Sequence, residues 1–355
     1  MDRAYYGVNE VKSVKMIKKL ITQCEEGDVL AEDIYGPYGI PLVIKNTEMN
    51  LYLINRLIKN GIYNLWVYAY DEEHSQAYQR FDKNYKKSIL LVKGLINDLA
   101  VGKRLEFDQV LQATEQIVFS TKDNKLILQY LSDLRKTDEY TFTHCINTAC
   151  YSMLIGKWLN LGEDEIWKII QAGLLHDIGK TQIPLEILNK KEKLTPEEFE
   201  IVKNHAILGY ELVKEINEID PDVKRAVLLH HERIDASGYP FQYGADRIGL
   251  YAKIVGVADV YDAMTSDRVY KKRATPFEAF EMFKQIGVSI FDTKILKVFL
   301  SNLAIYYTGT KIILNTGEIG EIVYIPPQDI LNPVIRVASK IYDSSKDTVK
   351  VLSLI

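Results

Sequence analysis

Cysteine is scarce in this chain. There are three among 355 residues, Cys24, Cys145 and Cys150, an odd and scattered set. That excludes a disulfide framework as the organising device. Long apolar runs are missing too. None reaches about 18 residues, and the first twenty residues alternate charged and apolar groups, so neither a membrane span nor a signal peptide is expected. The cytosol is the default compartment. Positive charge is not in excess: Lys and Arg total 44 against 48 Asp and Glu, a formal net charge of −4. General nucleic-acid binding needs a basic footprint that this chain lacks. A small anionic ligand would have to be met by local charge.

What is present is ordinary globular material, 47% hydrophobic and 26% charged, with length for two or three units. Residues 1–70 read as a small α+β module. Turn signals stand at Gly27-Asp28, Gly36–Gly39 and Asn60-Gly61. A helix is predicted over 47–59 with Thr47 as N-cap, followed by a strand over 62–68. The 23 tyrosines of the chain enrich this region as packing residues. Residues 71–136 read as a helical packing region. Phe81, Tyr85, Ile89, Val92, Ile96 and Leu99 form one apolar stripe. A second copy of the chain, in a homodimer, or its own domain could cover that stripe. Two further helices are predicted over 107–119 and 126–134. Residues 137–303 read helical almost throughout, and 304–355 switch to short strands with a hairpin turn at Asn315-Thr316-Gly317.

The chemistry concentrates in the helical segment. There are six histidines, and only His74 has a plainly polar, linker-like context. His144, His176, His205, His230 and His231 each lie beside a run with helical periodicity. Asp177 follows His176 directly, and Asp259 sits on an apolar helix predicted over 254–264, where a buried acid needs a partner. Together these are seven candidate ligands, too many for one tetrahedral zinc. Seven suit two metals sharing a carboxylate, the arrangement that clamps a phosphoryl group and activates a water. Imidazole with carboxylate favours Fe, Mn or Zn over Ca or Mg. Lys180 lies at i+4 from His176, on the same face of a continuing helix. The helix predicted from Thr195-Pro196 is expected to deliver His205, and one from Pro221 to end at His230-His231.

These motifs resemble a known family. His176-Asp177-Ile-Gly-Lys180, then His230-His231-Glu232-Arg233-Ile-Asp235-Ala-Ser-Gly238-Tyr239-Pro240, look like the HD-GYP group of the HD phosphohydrolase superfamily. Asp259-Val-Tyr-Asp262 through Arg268 and Lys271 resembles that family's next motif. The resemblance runs from about Thr137 to about Asn302. It implies an all-helical HD-type domain, flanked here by a small α+β module and a short β-rich extension of kinds seen on some relatives. It also implies a bacterial phosphodiesterase that cuts cyclic di-GMP, with a water bridging two metals as the attacking group.

The resemblance divides the ligands as well. His176 and Asp177 would hold the metal pair, with Asp177 bridging. His144 and Asp259 would complete one metal, and His205, His230 and His231 the other. Lys180 would contact a phosphate or assist the leaving group, and Asp262 would orient the water or a ligand. Arg268 and Lys271 match positions that contact ligand phosphates. The loop of Asp235, Gly238, Tyr239 and Pro240 would shape the site and offer a surface to diguanylate cyclase domains.

Two departures matter. Ala236 replaces the usual glycine, which costs roughly 1 kcal/mol if φ is positive there. Tyr140 stands where some members carry a third-metal Glu, which implies two metals here, Fe or Mn with Zn and Ni open. Adjacent Glu139 would point about 100° away on a helix. Other readings stay open: a different cyclic dinucleotide such as cyclic GMP-AMP, or a cyclic di-GMP receptor without turnover. The end product, linear pGpG or GMP, is not readable. Glu232 is not taken as a partner of His231, because neighbours on a helix point apart.

Overall fold

A computed structural model describes residues 14–24, 28–36, 41–44, 47, 49–70, 72–119, 123–133, 140–190, 192–266, 274–326 and 328–354. The turn residues Gly27 and 37–39, the expected cap at Thr137–Glu139, and Arg268 and Lys271 lie outside them. The chain divides into two compact units, residues 1–80 and 81–355.

In the first unit, strands β1 (Val14–Leu20), β2 (Val29–Leu30) and β5 (Asn64–Tyr70) form an antiparallel sheet in the order β1-β5-β2. Two short strands, β3 (Ile34–Tyr35) and β4 (Pro41–Val43), pair beside it. Helix α1 (Leu51–Lys59) contributes Ile54 and Leu57 to a core with Ile21, Leu30, Met49, Leu65 and Val67. Its N-cap is Asn50, not Thr47: the Asn50 side chain accepts from Leu53 N at 2.9 Å. Thr47 instead donates to Ile44 O at 2.7 Å, a local turn bond of the kind that hydroxyls offer outside helices.

The second unit is mainly helical, with strands confined to its C-terminal end. Helix α2 (Glu72–Ala100) carries the apolar stripe. Phe81, Tyr85, Ser88, Val92, Leu95 and Leu99 are the residues fully buried, one register step from Ile89 and Ile96. Helices α3 (Phe107–Val118), α4 (Asn124–Asp133) and α5 (Tyr140–Trp158) follow. Contacts to these cover the stripe from within its own chain. Ser88 Oγ donates to Ala113 O at 3.4 Å, and Tyr85 packs on Tyr130 with ring centroids 5.1 Å apart.

α5 pairs with α6 (Glu163–Leu175), and α11 (Leu250–Thr265) lies against both. Around them run a 3₁₀ turn (Ile178–Gln182), α7 (Leu185–Leu188), α8 (Pro196–Lys203), α9 (His205–Val213) and α10 (Pro221–Leu229). Thr195 caps α8 in a reciprocal pair with Glu198, as its sequence predicts. Helices α12 (Pro276–Met282), α13 (Val288–Ile290) and α14 (Thr293–Tyr306) close the helical body.

The tail forms a five-stranded antiparallel sheet in the order β10-β6-β7-β8-β9. Its strands are β6 (Lys311–Leu314), β7 (Ile319–Tyr324), β8 (Val334–Val337), β9 (Lys340–Asp343) and β10 (Val351–Leu354). β9 had no sequence signal. Its turn places Ala338 at φ 51° without a glycine to mark it, and Lys340 and Ile341 are exposed.

Candidate metal centre

Five helix ends and one helix middle converge here. The helix before His176 stops at Leu175, with His176 as its cap, and the chain tightens into the 3₁₀ turn. Lys180 therefore does not share a helical face with His176. It reaches back to form an ion pair with Asp177. His205 is not delivered by the helix that starts at Thr195. That helix ends at Lys203, and His205 opens α9. The start of α9 packs tightly on the Asp177 segment. A Cβ on Gly179 would stand 2.0 Å from His205 O and 2.4 Å from Gly209 N. Only glycine lets the Asp177 segment lie this close to the His205 backbone. His230 caps α10, His231 follows it, and α11 supplies Asp259.

Hydrogen bonds set the imidazole tautomers. His176 Nδ1 donates to Gly173 O at 2.8 Å, His205 Nδ1 to Val202 O at 2.7 Å, and His230 Nδ1 to Val227 O at 2.8 Å. A carbonyl only accepts, so each Nδ1 carries the proton and each Nε2 presents a lone pair. His144 Nδ1 is held by Asp262 Oδ2 at 2.7 Å. The Nε2 lone pairs meet in the middle. His205 Nε2 and His230 Nε2 are 3.3 Å apart, two acceptors facing each other.

Two ligand groups emerge, each with donor atoms within 4.8 Å of one another: His144, His176 and Asp259, and Asp177, His205, His230 and His231. Asp177 stands between them. Its Oδ2 is 3.4 Å from His176 Nε2 and 3.6 Å from His144 Nε2, and its Oδ1 is 3.3 Å from His205 Nε2. Asp259 Oδ1 is 3.1 Å from His144 Nε2. All seven sequence-predicted ligands are thus brought together.

The residues fit divalent cations. His176 Nε2 and Asp177 Oδ1 are buried without a hydrogen-bond partner among the described residues, which is costly unless a ligand satisfies them. The 3.1–3.6 Å donor spacings lie within what atoms about 2.0–2.2 Å from a shared ion span. The charge states of the two carboxylates and of His205, His230 and His231 agree with ligation, whereas His144 must give up a proton to bind a metal. Burial raises the Asp177 carboxyl, but Lys180 and the histidines outweigh it and hold it well below the usual carboxylate range. Asp259 is likewise held low against burial, chiefly by His144 and His231. Burial holds His230 and His231 well below the ordinary imidazole range, and lowers His205. For His144 burial also disfavours the charge, but Asp259 and Asp262 overcome it and lift the group to about 9.

A pH dependence follows for the metal-free protein. The unfolded chain takes up protons near pH 6.5 that folded His205, His230 and His231 refuse. Their effect is absent above that pH, and stability falls as pH drops below it. His144 acts oppositely: its contribution is full below about 6.5 and is lost as pH rises through about 9. Stability from these four groups therefore peaks near pH 6.5. Urea denaturation of chelated protein should show a loss of at least ~1 kcal/mol between pH 6.5 and 5.5. A flat profile over that interval would mean that the three imidazoles are not held neutral.

Around the ligands, further residues are held in place. Asp262 faces protein donors: its Oδ2 meets His144, and its Oδ1 accepts from Asn147 Nδ2 at 2.9 Å and Ser266 Oγ at 3.0 Å. Its place is to hold the His144 ring. Asn147 lies one turn from His144 on an apolar helix, a polar placement that sequence inspection could have flagged.

Glu232 is buried, and its carboxylate accepts from Phe241 N at 2.7 Å and Tyr243 N at 2.9 Å. It clamps the motif loop. Within that loop Asp235 accepts from Ser237 N and Oγ, and Tyr239 stacks on His231 with centroids 4.5 Å apart. The Tyr239-Pro240 peptide is cis, and Ala236 does adopt φ 64°. Arg233 donates to His230 O and Glu232 O while lying over the Phe291 ring. The open side of the centre carries Lys180, one third exposed, and the partly exposed His231.

Residues 131–295 match the model of a family described as HD domain. A protein of Pseudomonas aeruginosa named as a cyclic di-GMP phosphodiesterase is 32% identical over 246 residues, 69% of this chain and 59% of its own length. One of Thermotoga maritima with the same name is 37% identical over 175 residues, 49% of this chain and 47% of its own. A Vibrio cholerae protein named as a 3′3′-cGAMP-specific phosphodiesterase is 35% identical over 133 residues, 37% of this chain and 28% of its own. The chain thus spans about half to three fifths of the length of the first two of these relatives. Among solved structures, an HDG"Y"P protein from Bdellovibrio bacteriovorus shares the fold at a TM-score of 0.52 and 15% identity, over 80% of this chain and 98% of that one.

Proposed function

We propose that the chain, whose residues 131–295 match the model of a family described as HD domain, is a metal-dependent phosphodiesterase of the HD-GYP type, hydrolysing cyclic di-GMP to linear pGpG or GMP. One observation carries the reading. Five imidazoles and two carboxylates converge, with the lone pairs of His176, His205 and His230 aimed at a common centre. The relatives' names supply the substrate class. Two divalent cations, Fe or Mn with Zn and Ni as alternatives, would supply Lewis acidity and an activated water.

The protein's own residues do the rest. His144, His176 and Asp259 would hold one ion, His205, His230 and His231 the other, and Asp177 faces both. The Lys180 ammonium, paired with Asp177 at the open side, meets a phosphate oxygen or the departing 3′ oxygen. Arg268 and Lys271 are assigned to the ligand's phosphates on chemistry alone, an Arg fork and a Lys point charge. Two ions rather than three follow from Tyr140 replacing a carboxylate. The cytosol is the working compartment. Diguanylate cyclase domains would meet the Gly238-Tyr239-Pro240 loop, and a homodimer would use a surface other than the α2 stripe.

The second substrate reading, cyclic GMP-AMP, has the Vibrio relatives behind it and is tested alongside. Protein purified without oxygen and loaded with Fe(II) or Mn(II) is given each dinucleotide, beside a His176→Ala/Asp177→Ala control. Linear pGpG or GMP from the wild type alone supports the assignment. Faster turnover of cyclic GMP-AMP would replace the substrate. Tight binding with no product would make the protein a receptor.

A further inference from the structure

A chain of hydrogen bonds runs from α2 to a metal ligand. Tyr85 OH donates to Asn147 Oδ1 at 2.6 Å. Asn147 Nδ2 donates to Asp262 Oδ1 at 2.9 Å, and Asp262 Oδ2 accepts from His144 Nδ1 at 2.7 Å. All four side chains are buried. We propose that Tyr85, which lies outside the matched HD domain, is a positioning residue for His144, acting through Asn147 and Asp262. This rests on the divalent-metal reading above, but not on which phosphodiester is cut.

Direction makes the chain more than packing. The Asp262 carboxylate only accepts, so the Asn147 amide must turn its NH₂ toward it. That leaves Asn147 Oδ1 facing away, and the Tyr85 hydroxyl is the donor that meets it. Without that donor a buried carbonyl oxygen stands unsatisfied, and the amide gains by leaving its present orientation. Asp262 would then lose one of the donors fixing the oxygen opposite the one that holds His144. The ring that Asp262 orients belongs to only one of the two ligand groups. The other group takes its orientation from backbone carbonyls at Val202 and Val227. Loss of the Tyr85 hydroxyl should therefore act on one metal step and not on both.

Tyr85→Phe keeps the ring and its packing on Phe81 and Tyr130. Tyr130→Phe is the matched control: it sits in the same aromatic cluster, but its hydroxyl bonds Asp82 at 2.7 Å. Mn(II) titrations of the chelated full chain, followed calorimetrically, read the two steps separately, and His144→Ala identifies the step to watch. In Tyr85→Phe that step should weaken about tenfold, the lower end of what losing an outer hydrogen-bond partner costs a metal site. The other step should hold, and Tyr130→Phe should change neither. Asn147→Ala should give the same split, and the double variant no further loss, because both cut one chain.

Equal weakening of both steps, no weakening, or the same split in Tyr130→Phe would overturn the assignment. So would additive losses in the double variant. A wild type that binds no Mn(II) would overturn the metal reading and this inference together. A wild type that binds two ions but spares cyclic di-GMP would overturn the substrate alone, and the split would still decide the role of Tyr85.

Discussion

Asp177→Ala should lower hydrolysis by at least about a thousandfold and remove both divalent ions, the scale expected when a charge-stabilising element of an active site is lost. The reason is position. Asp177 Oδ1 lies 3.3 Å from His205 in one ligand group, and Oδ2 lies 3.4 Å from His176 in the other. Asp259 would remain as the single carboxylate among the six remaining ligands, against two divalent charges. Lys180 would also lose its partner, leaving an ammonium beside the centre to repel cations. His205→Ala is the contrast. It touches only the second group and should cost that ion while leaving the other bound. Metal content per chain, measured with anaerobic activity, separates the cases. Two ions retained by Asp177→Ala would remove this residue from the centre. One ion retained would place it in a single group rather than between two.

The candidate ligands were legible as a set because metal chemistry restricts residue types, and few arrangements besides a metal centre call for five histidines and two aspartates along helical runs. Helix ends were less legible, and they matter most here. Periodicity runs through the break at Asn204, where neither Pro nor Gly marks a stop, so the helix from Thr195-Pro196 reads on through His205. Just past the break Gly179 packs on the His205 carbonyl, a contact no local pattern encodes. Glu232 is indeed no partner of His231, since its carboxylate accepts from Phe241 N and Tyr243 N, but the reason differs from the expected one. Helical geometry was assumed past His231, yet α10 ends at Leu229, and the side chain can turn under the loop.

Asp262 shows a different limit. A carboxylate one turn from a ligand can face a substrate or support a ring, and only the packing of α5 against α11 decides. Tyr85 and Asn147 are 62 positions apart, beyond any local signal. At the fold level, mainly helical architecture with strands at the ends was readable from period alone. The α2 stripe was readable too, but what covers it was not, since an apolar face fits a second copy or its own domain equally well.

Gly238→Ala should destabilise the protein by about 1–3 kcal/mol, the usual cost of overpacking, and weaken the ligand group that contains His231. A Cβ at Gly238 would stand 2.4 Å from His231 O and 2.5 Å from both Arg233 N and Glu232 Cα. These are backbone atoms, and they cannot swing aside as a flexible side chain could. The loop must lift instead. Lifting it separates Tyr239 from the His231 ring that it stacks on at 4.5 Å. It also strains the two amide bonds that Glu232 makes to Phe241 and Tyr243. His231 would then lose the aromatic face that fixes its ring, and activity should fall by about 10–100-fold, as when other outer contacts of metal ligands are lost. Gly244→Ala tests the specificity of this argument within the same loop. Its nearest neighbour would be Ile234 O at 3.7 Å, ordinary contact, and the change should stay within about 0.5 kcal/mol. Thermal melts of chelated protein and Mn(II) titrations of both variants give the comparison. If Gly238→Ala behaves like Gly244→Ala, the loop does not hold His231 by close packing, and crowding against the His231–Arg233 backbone is not why this motif carries a glycine.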